Sequence, residues 1–240
     1  MELTNRRALI TGGTAGIGLA CARLLAREGA VVTVTGRDGR RGAEAAASLG
    51  GGVHFLQSDL ADAESVRTLV RQAGAVDILV NNAASFPSAL TVDQRRDAFE
   101  RTFATNVAGT YFLAAGLVPG MIARGHGSIV NVTTMVASRA VPGASVYSAS
   151  KAAVESLTRT WAAEFGPAGV RVNAVAPGPT RTEGVQAEWG ETNEALGRAL
   201  PLGRTAAPDE IAQAVLFLAS PRASFITGAV LHADGGGSAI

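Results

Sequence analysis

Tyr147 and Lys151 are the two side chains of this 240-residue chain whose types and spacing could move a proton. Residues four positions apart lie on one face of a helix, so the phenol and the ammonium would point the same way. A free phenol has a pKa of about 10 and exchanges protons poorly at neutral pH. A nearby ammonium lowers that pKa, so Tyr147 could protonate a carbonyl or deprotonate an alcohol. The same pair is also typical of an exposed helix surface, so other residues must decide between a catalytic pair and a surface pair.

A glycine-rich segment near the N-terminus has the residue types that bind a phosphate group. Residues 11–18 read Thr-Gly-Gly-Thr-Ala-Gly-Ile-Gly, between a predicted strand and a predicted helix. Glycine lets the backbone approach a pyrophosphate closely, and a helix N-terminus offers unpaired N–H groups. Glycines in such a turn also have purely structural uses, but the position after the first strand favours a dinucleotide site. The predicted cofactor contacts of this loop are Gly12, Thr14, Gly16, Ile17 and Gly18.

The end of the second predicted strand contains the residues that would select between two nicotinamide cofactors. A carboxylate at this point binds the ribose hydroxyls of NAD, whereas a guanidinium accommodates the 2′-phosphate of NADP. Gly36 stands where the acidic residue is expected, Arg37 follows it, and Arg40 and Arg41 come one helical turn later. A solvated charged turn is the alternative interpretation, and Asp38 could neutralise the arginine. We therefore predict that NADP(H) is favoured over NAD(H).

Further polar side chains follow the predicted strands at the same edge of the sheet. Thr133 and Thr134 end the fifth strand, and residues 81–84 (Asn-Asn-Ala-Ala) end the fourth. Asn106 lies early in a predicted apolar helix, where asparagine is intrinsically unfavourable. Each residue has a structural interpretation as a cap or loop residue. Their shared position at the carboxyl edge, where parallel sheets bind ligands, indicates one site.

The elements that must position these side chains alternate along the chain. The predicted strands are nearly continuous apolar runs, which is typical of strands buried on both faces of a parallel sheet. We expect an α/β fold with a doubly wound, Rossmann-like parallel sheet of about seven strands and helices on both faces. The predicted strands are Arg7–Thr11, Ala30–Thr35, Val53–Gln57, Val76–Asn81, Ser128–Thr133, Val170–Ala176 and Ala229–Ala233.

Helical periodicity fills most of the intervals between the strands. One interval, Pro179–Thr205, is long, polar and poorly periodic, which is typical of a lid or a binding loop. We treat residues 1–240 as a single dinucleotide-binding domain with a substrate lid at about 179–205. The predicted helices are Gly16–Arg27, Gly39–Leu49, Asp62–Ala73, Val92–Thr102, Thr105–Ala123, Ser145–Phe165 and Pro208–Ala219.

Composition limits the function classes that remain. The chain is 47% hydrophobic and 17% charged with a net charge of +1, which favours neither nucleic acid nor a membrane surface as the main partner. The single cysteine, Cys21, excludes an internal disulfide and suits a reducing compartment. The N-terminus lacks the apolar segment of a signal peptide, and no uninterrupted apolar run reaches spanning length. We expect a cytoplasmic protein without a metal site, because the three histidines lack ligand spacing.

Together these residues resemble the short-chain dehydrogenase/reductase family over almost the whole chain and are similar to its 3-oxoacyl-[acyl-carrier-protein] reductase-like members. The loop at residues 11–18 and the pair Tyr147 and Lys151 match family motifs. Residues 81–84 match a third motif except that Ala84 replaces its glycine, and Thr134 replaces a serine. Further matches are Asp59-Leu60, Asn106, Pro177-Gly178 with Thr182, Ile226-Thr227-Gly228 and Asp234-Gly235-Gly236.

The resemblance implies a role for each matching residue. Thr134 would hold the substrate carbonyl oxygen, Tyr147 would protonate it and also contact the cofactor, and Lys151 would bind the nicotinamide ribose and lower the tyrosine pKa. Asn106 would support a bound water in the proton supply. The remaining implied cofactor contacts are Asp59 and Leu60 at the adenine, Asn82, Ala83, and Pro177, Gly178, Thr180 and Thr182 towards the nicotinamide.

The resulting expectation is NADPH-dependent reduction of a neutral or apolar ketone or oxoacyl carbonyl. The expected substrate wall is mostly apolar and comprises Ser85, Phe86, Val136, Pro142 and parts of Thr182–Leu200 with Trp189, which would either line the pocket or anchor the lid. The alternatives are an NAD-dependent alcohol or sugar dehydrogenase and a nucleotide-binding regulator with little turnover. Family members usually assemble, so a homodimer or homotetramer through the Tyr147 helix, its predecessor and the C-terminal elements is expected.

Overall fold

A seven-stranded parallel sheet forms the centre of the protein. The computed structural model describes residues 1–240, and the strand order is β3-β2-β1-β4-β5-β6-β7 with every neighbouring pair parallel. This confirms the predicted doubly wound, Rossmann-like α/β class. The strands are β1 (Arg7–Ile10), β2 (Val31–Gly36), β3 (Val53–Gln57), β4 (Ile78–Asn81), β5 (Gly127–Val132), β6 (Val170–Pro177) and β7 (Val230–Ala233).

Helices cover both faces of the sheet and bury its apolar strands. One core cluster joins the sheet to α1 and α8, and the other joins it to α3, α5 and α6. Cys21 lies fully buried in the first cluster, and burial raises the pKa of its thiol to about 12. The helices are α1 (Gly16–Arg27), α2 (Gly39–Leu49), α3 (Ala63–Ala73), α4 (Arg96–Phe103), α5 (Thr110–Arg124), α6 (Ser145–Phe165), α7 (Glu183–Arg198) and α8 (Pro208–Ala219).

The strand order reverses between β1 and β4. The chain continues from β1 to β2 on one side, whereas β4 pairs with β1 on the other side and leads on to β5. The loops that follow β1 and β4 therefore separate at the carboxyl edge and leave a crevice between them. A ligand of a doubly wound sheet binds at this point.

Helices α4 and α5 form one continuous helical run rather than the two separate helices that periodicity predicted. A π-helical turn, Ala104–Gly109, joins them and contains Asn106. By length and composition the run Arg96–Arg124 could cross a membrane. However, Leu113, Leu117 and Met121 pack in the second core cluster, so the run is a core helix of this fold.

The segment expected to be an irregular lid contains the 16-residue helix α7. Gly190 interrupts it with φ 44° and ψ −125°, a conformation that residues other than glycine rarely adopt. Val185, Trp189, Asn193 and Leu196 line a cleft at helical spacing. This stripe is short, and a polar outer face and the glycine interrupt it. The periodicity was therefore too weak to predict a helix.

Candidate active site

A cleft of about 450 Å³ opens at the carboxyl edge of the sheet. The structure brings the predicted site residues together along this cleft, with two exceptions, Gly18 and Asn106, which lie behind its wall. The predicted residues that line it are Gly12, Thr14, Gly16, Ile17, Arg37, Asp59, Leu60, Asn82, Ala83, Thr134, Tyr147, Lys151, Pro177, Gly178, Thr180 and Thr182.

Gly12 and Gly18 pack so closely against neighbouring atoms that neither position can carry a side chain. The cleft beside the glycine loop therefore stays open to a ligand. Gly12 has φ +62°, and a Cβ there would lie 2.9 Å from the Cα of Ala83. A Cβ on Gly18 would overlap the Gly12 carbonyl oxygen. Asn82 fastens the loop, since its Nδ2 donates to the carbonyls of Thr11 and Gly12 at 2.9 and 3.1 Å.

The N-terminus of α1 follows this loop without a side-chain cap, because its N-cap residue is Ala15. The first N–H groups of the helix thus remain available to an external acceptor. Together with the positive end of the helix dipole, they suit the pyrophosphate of a dinucleotide. The residues present therefore fit a nicotinamide cofactor in this part of the cleft.

Gly18→Ala is expected to weaken NADPH binding by about a hundredfold. The new methyl group would displace the backbone of the glycine loop, and this backbone is proposed to bind the pyrophosphate. The dissociation constant is measured by fluorescence titration. Gly166→Ala is the matched control, since Gly166 has φ −54° and a Cβ there meets nothing within 4 Å. Equal affinities of the Gly18→Ala variant and the control would show that the loop does not hold the cofactor.

The arginines after β2 differ in their partners. Arg40 pairs with Glu44 at 2.9 Å, and Arg41 pairs with Glu183 of α7. The side chain of Arg37 makes no ion pair and lines the cleft. The suggested neutralisation of this arginine by Asp38 is wrong, because Asp38 caps α2 by accepting from the Arg41 backbone N–H at 3.0 Å.

The carboxylate of Asp59 is held on both oxygens at the same end of the cleft. Its Oδ1 accepts from the Ala61 N–H at 3.0 Å, and its Oδ2 accepts from Arg101 Nη2 at 2.9 Å. Partial burial opposes ionisation, but these two hydrogen bonds outweigh it and lower the pKa of Asp59. Sequence reasoning missed Arg101, because only the fold brings α4 next to the end of β3.

Tyr147 and Lys151 face the cleft from the first two turns of α6, but the expected lowering of the tyrosine pKa is absent from this structure. Burial raises the pKa of Tyr147 to about 12, and the Thr134 hydroxyl offsets this only partly. Lys151 Nζ donates to the Val132 carbonyl at 2.7 Å and lies 5.9 Å from the centre of the phenol ring. Burial lowers the pKa of Lys151 to about 8. The ammonium is therefore bound to the end of β5 rather than to the phenol.

Asn106 lies behind the wall of the cleft and contacts the site through hydrogen bonds. Its Oδ1 accepts from the Ser85 N–H at 2.7 Å, and its Nδ2 donates to the Ser85 carbonyl and to Ser150 Oγ at 2.8 and 2.9 Å. Ser150 Oγ in turn donates to the Tyr147 carbonyl at 2.7 Å. The amide thus fastens the loop after β4 to the tyrosine helix. Both Nδ2 hydrogens are donated, so the predicted water would have to bind at the second lone pair of Oδ1 or at the Asn106 backbone.

The expected substrate wall lies where it was predicted, with one difference. Phe86, Val136 and Trp189 line the cleft, but Val141 takes the position expected for Pro142. Trp189 fits both of the roles that were considered, because it lines the cleft and its Nε1 donates to the Phe86 carbonyl at 3.3 Å.

Comparison with known proteins places this geometry in a family. A sequence model described as Enoyl-(Acyl carrier protein) reductase matches residues 12–238. The 3-oxoacyl-[acyl-carrier-protein] reductase FabG of Thermotoga maritima is 36% identical, covering 98% of this chain and 99% of the relative. The chain belongs to the short-chain dehydrogenase/reductase family. It is an NAD(P)-dependent oxidoreductase of that family.

Solved structures of the short-chain dehydrogenase/reductase family superpose closely on this chain. A structure described as a short chain dehydrogenase/reductase family protein has 61% identity, full coverage of both chains and a TM-score of 0.96. A protein of Beutenbergia cavernae is described as a candidate NAD(P)-dependent gluconate 5-dehydrogenase with NADP bound at low occupancy. It shares 35% identity and a TM-score of 0.93, covering 100% of this chain and 99% of its own.

Proposed function

We propose that the protein catalyses NADPH-dependent reduction of a neutral or apolar ketone or oxoacyl carbonyl, with Tyr147 as the proton donor. The observation that carries this proposal is the composition of the cleft from end to end. Arg37 lines one end without an ion pair, whereas Tyr147, Thr134 and Lys151 converge at the other. The wall beside them is apolar.

The protein would bind and orient the cofactor and would protonate the substrate carbonyl oxygen. The glycine loop and the N-terminus of α1 would hold the pyrophosphate, Asp59 and Leu60 would contact the adenine, and Arg37 would bind the 2′-phosphate. The remainder of the cofactor, towards the nicotinamide, would be enclosed by Asn82, Ala83, Pro177, Gly178, Thr180 and Thr182. The bound cofactor supplies the hydride.

Tyr147 carries the proton that reduction of a carbonyl requires. With a pKa of about 12 the phenol carries its proton at neutral pH and can give it to a developing alkoxide. Thr134 is placed to hold the same oxygen. Its hydroxyl accepts from the Val136 N–H at 3.3 Å and lies beside the Tyr147 hydroxyl, so the two hydroxyls would reach the same substrate oxygen. Lys151 supplies positive charge beside the phenolate that proton transfer leaves behind.

A panel of uncharged ketones tests the activity. Each ketone is incubated with NADPH and separately with NADH, and the loss of nicotinamide absorbance is followed. Turnover that is faster with NADPH supports the proposal. Preferential oxidation of alcohols or sugars with NAD would favour the dehydrogenase alternative, and tight NADPH binding without any turnover would favour a regulator.

Arg37→Ala is expected to raise the dissociation constant of NADPH by about tenfold or more, because a charge-assisted hydrogen bond contributes about 1.5–3 kcal/mol. NADH lacks the 2′-phosphate, so its dissociation constant should change less than about twofold. Arg40→Ala is the matched control, because Arg40 is already paired with Glu44. An equal effect of Arg37→Ala on both cofactors would refute the phosphate role.

We also propose that the protein forms a homodimer or homotetramer through α4, α5 and α6. An apolar groove between these helices is lined by Phe103, Val107, Tyr111, Phe112 and Leu157. Phe112 is 60% exposed in the isolated chain, which is a large exposed fraction for an aromatic side chain. The groove adjoins the tyrosine helix, so a second copy bound there would support the active site.

A further inference from the structure

Three of the four charged side chains that line the cleft lie at its proposed adenosine end, and the fourth is the ammonium of Lys151, which is bound to the Val132 carbonyl. Arg37, Asp59 and Arg101 surround the proposed adenosine end, and Lys151 lies beside Tyr147. No other Asp, Glu, Lys, Arg or His side chain lines the cleft. An anion that is buried without a counter-charge loses its hydration and gains nothing in return. The substrate end therefore disfavours carboxylates and phosphates.

The substrate end consists mostly of aromatic and aliphatic groups, with the polar side chains of Ser85, Thr134 and Asn193 among them. Phe86 lies edge-on to the Tyr147 ring, with 6.2 Å between the ring centres. It also lies under the lid helix, where a Cβ on Gly184 would be 3.2 Å from Phe86 Cζ. The only polar hydrogen of Trp189 is already donated to the Phe86 carbonyl, so Trp189 offers the substrate its ring alone. A substrate here is bound by apolar contact and by a single oxygen at Tyr147.

The lid helix α7 is acidic on the outside. Residues 183–198 contain four glutamates and one arginine, and two of these glutamates pair with arginines outside the helix, Glu183 with Arg41 and Glu194 with Arg181. Glu188 Oε1 accepts from the Ser88 N–H at 2.8 Å, which fastens this acidic helix to the loop that carries Phe86. Glu191 is exposed and makes no ion pair. A negatively charged molecule that approaches the cleft therefore meets like charge.

We infer that the substrate is a free, uncharged, mainly apolar ketone, and that thioesters carried by acyl carrier protein or coenzyme A are disfavoured. The inference rests on the proposed function and removes the carrier-bound oxoacyl substrates from it. Both carriers bring phosphate groups at the far end of the pantetheine arm, where an approaching carrier meets the unpaired glutamates of α7 rather than the cleft. In the reaction the carbonyl carbon gains a hydride from NADPH and the oxygen gains the Tyr147 proton. The products are a secondary alcohol and NADP⁺, and a solvent proton restores the tyrosine.

Two substrate pairs with the same reacting carbonyl test this inference. Ethyl acetoacetate is compared with acetoacetate, and acetoacetyl-N-acetylcysteamine is compared with acetoacetyl-coenzyme A. We expect kcat/KM with NADPH to be about tenfold higher for the uncharged member of each pair, since like charge and lost hydration both oppose the anion. Added NaCl should narrow the gap in the thioester pair, because salt screens the exposed glutamates.

A charge reversal on the lid separates the effect of α7 from that of the cleft. Glu191→Lys should raise kcat/KM for acetoacetyl-coenzyme A about two- to threefold at low salt and leave ethyl acetoacetate unchanged. Glu164→Lys is the matched control, because Glu164 is an exposed glutamate near the other end of α6 that makes no ion pair. This control should leave both substrates unchanged.

The outcomes distinguish the inference from the function on which it rests. Equal or faster turnover of acetoacetyl-coenzyme A or acetoacetyl-acyl carrier protein, lost in Tyr147→Phe, would overturn the inference and leave the proposed function intact. If none of the substrates is reduced, the binding of ethyl acetoacetate in the presence of NADPH is measured by the fluorescence of Trp189. The Trp161→Phe substitution leaves Trp189 as the one tryptophan of the chain. Binding of ethyl acetoacetate without reduction would refute the function alone, and no binding would overturn the inference.

Discussion

Replacement of Tyr147 by phenylalanine is expected to lower kcat for ketone reduction by about a thousandfold, within the range that general acid catalysis contributes. The substitution removes the hydroxyl but keeps the ring that packs edge-on against Phe86. Because the pKa of Tyr147 is about 12, the wild-type group is a neutral acid at pH 7, and the variant loses a proton without losing a charge. The dissociation constant of NADPH should therefore change less than about threefold.

The matched control for this variant is Tyr111→Phe, which removes the only other phenol of the chain. Tyr111 is 42% exposed and packs against Trp161, away from the cleft. Its substitution keeps the ring that lines the groove between α4, α5 and α6, so kcat should stay unchanged. Near-normal turnover of Tyr147→Phe, or an equal loss in both variants, would remove Tyr147 from the reaction.

The sheet and the edge that holds the site were predictable because their signals are local. Apolar runs such as those that form β2 and β5 identify buried parallel strands, and parallel strands place their carboxyl ends together. Residues that follow such runs, including Arg37 and Thr134, were therefore expected at one edge, and they line one cleft. Their chemical roles remain proposals, because shared position does not establish what each side chain does.

Long-range contacts could not be predicted in the same way. The ion pair of Arg101 with Asp59 joins residues 42 positions apart, and the pairing of Arg41 with Glu183 spans 142. Helix α7 was missed because Gly190 interrupts its apolar stripe, and the π-helical turn around Asn106 was missed because its length differs from helical periodicity by one residue. The pKa of Tyr147 depends on burial, which the spacing of two side chains does not report.

Lys151 is the only lysine of the chain, so its titration can be observed without overlap. We expect NMR of protein labelled with ¹⁵N-lysine to give a pKa of about 8, lowered from 10.5 by burial. Reduction should then decline as the pH rises through about 8, because Lys151 loses its charge while Tyr147 stays protonated. Lys151→Met should lower kcat by about a hundredfold or more. Lys151→Arg should retain part of the activity without the decline, because arginine keeps its charge in this range.

The same titration has a consequence for stability that is independent of turnover. Between pH 8 and 10.5 the unfolded chain binds the Lys151 proton and the folded chain releases it, so the free energy of unfolding rises with pH in this window. Below pH 8 both states carry the proton, and the cost of burying the ammonium is fully present. Lys151→Met lacks this contribution, so urea unfolding should show the wild type gaining stability relative to the variant from pH 8 to 10.5. A difference that stays constant across that range would contradict a buried, destabilised ammonium. Such a gain in the free energy of unfolding would mean that burying the Lys151 ammonium beside Tyr147 destabilises the fold. A residue kept at the expense of stability is expected where function, rather than packing, requires it.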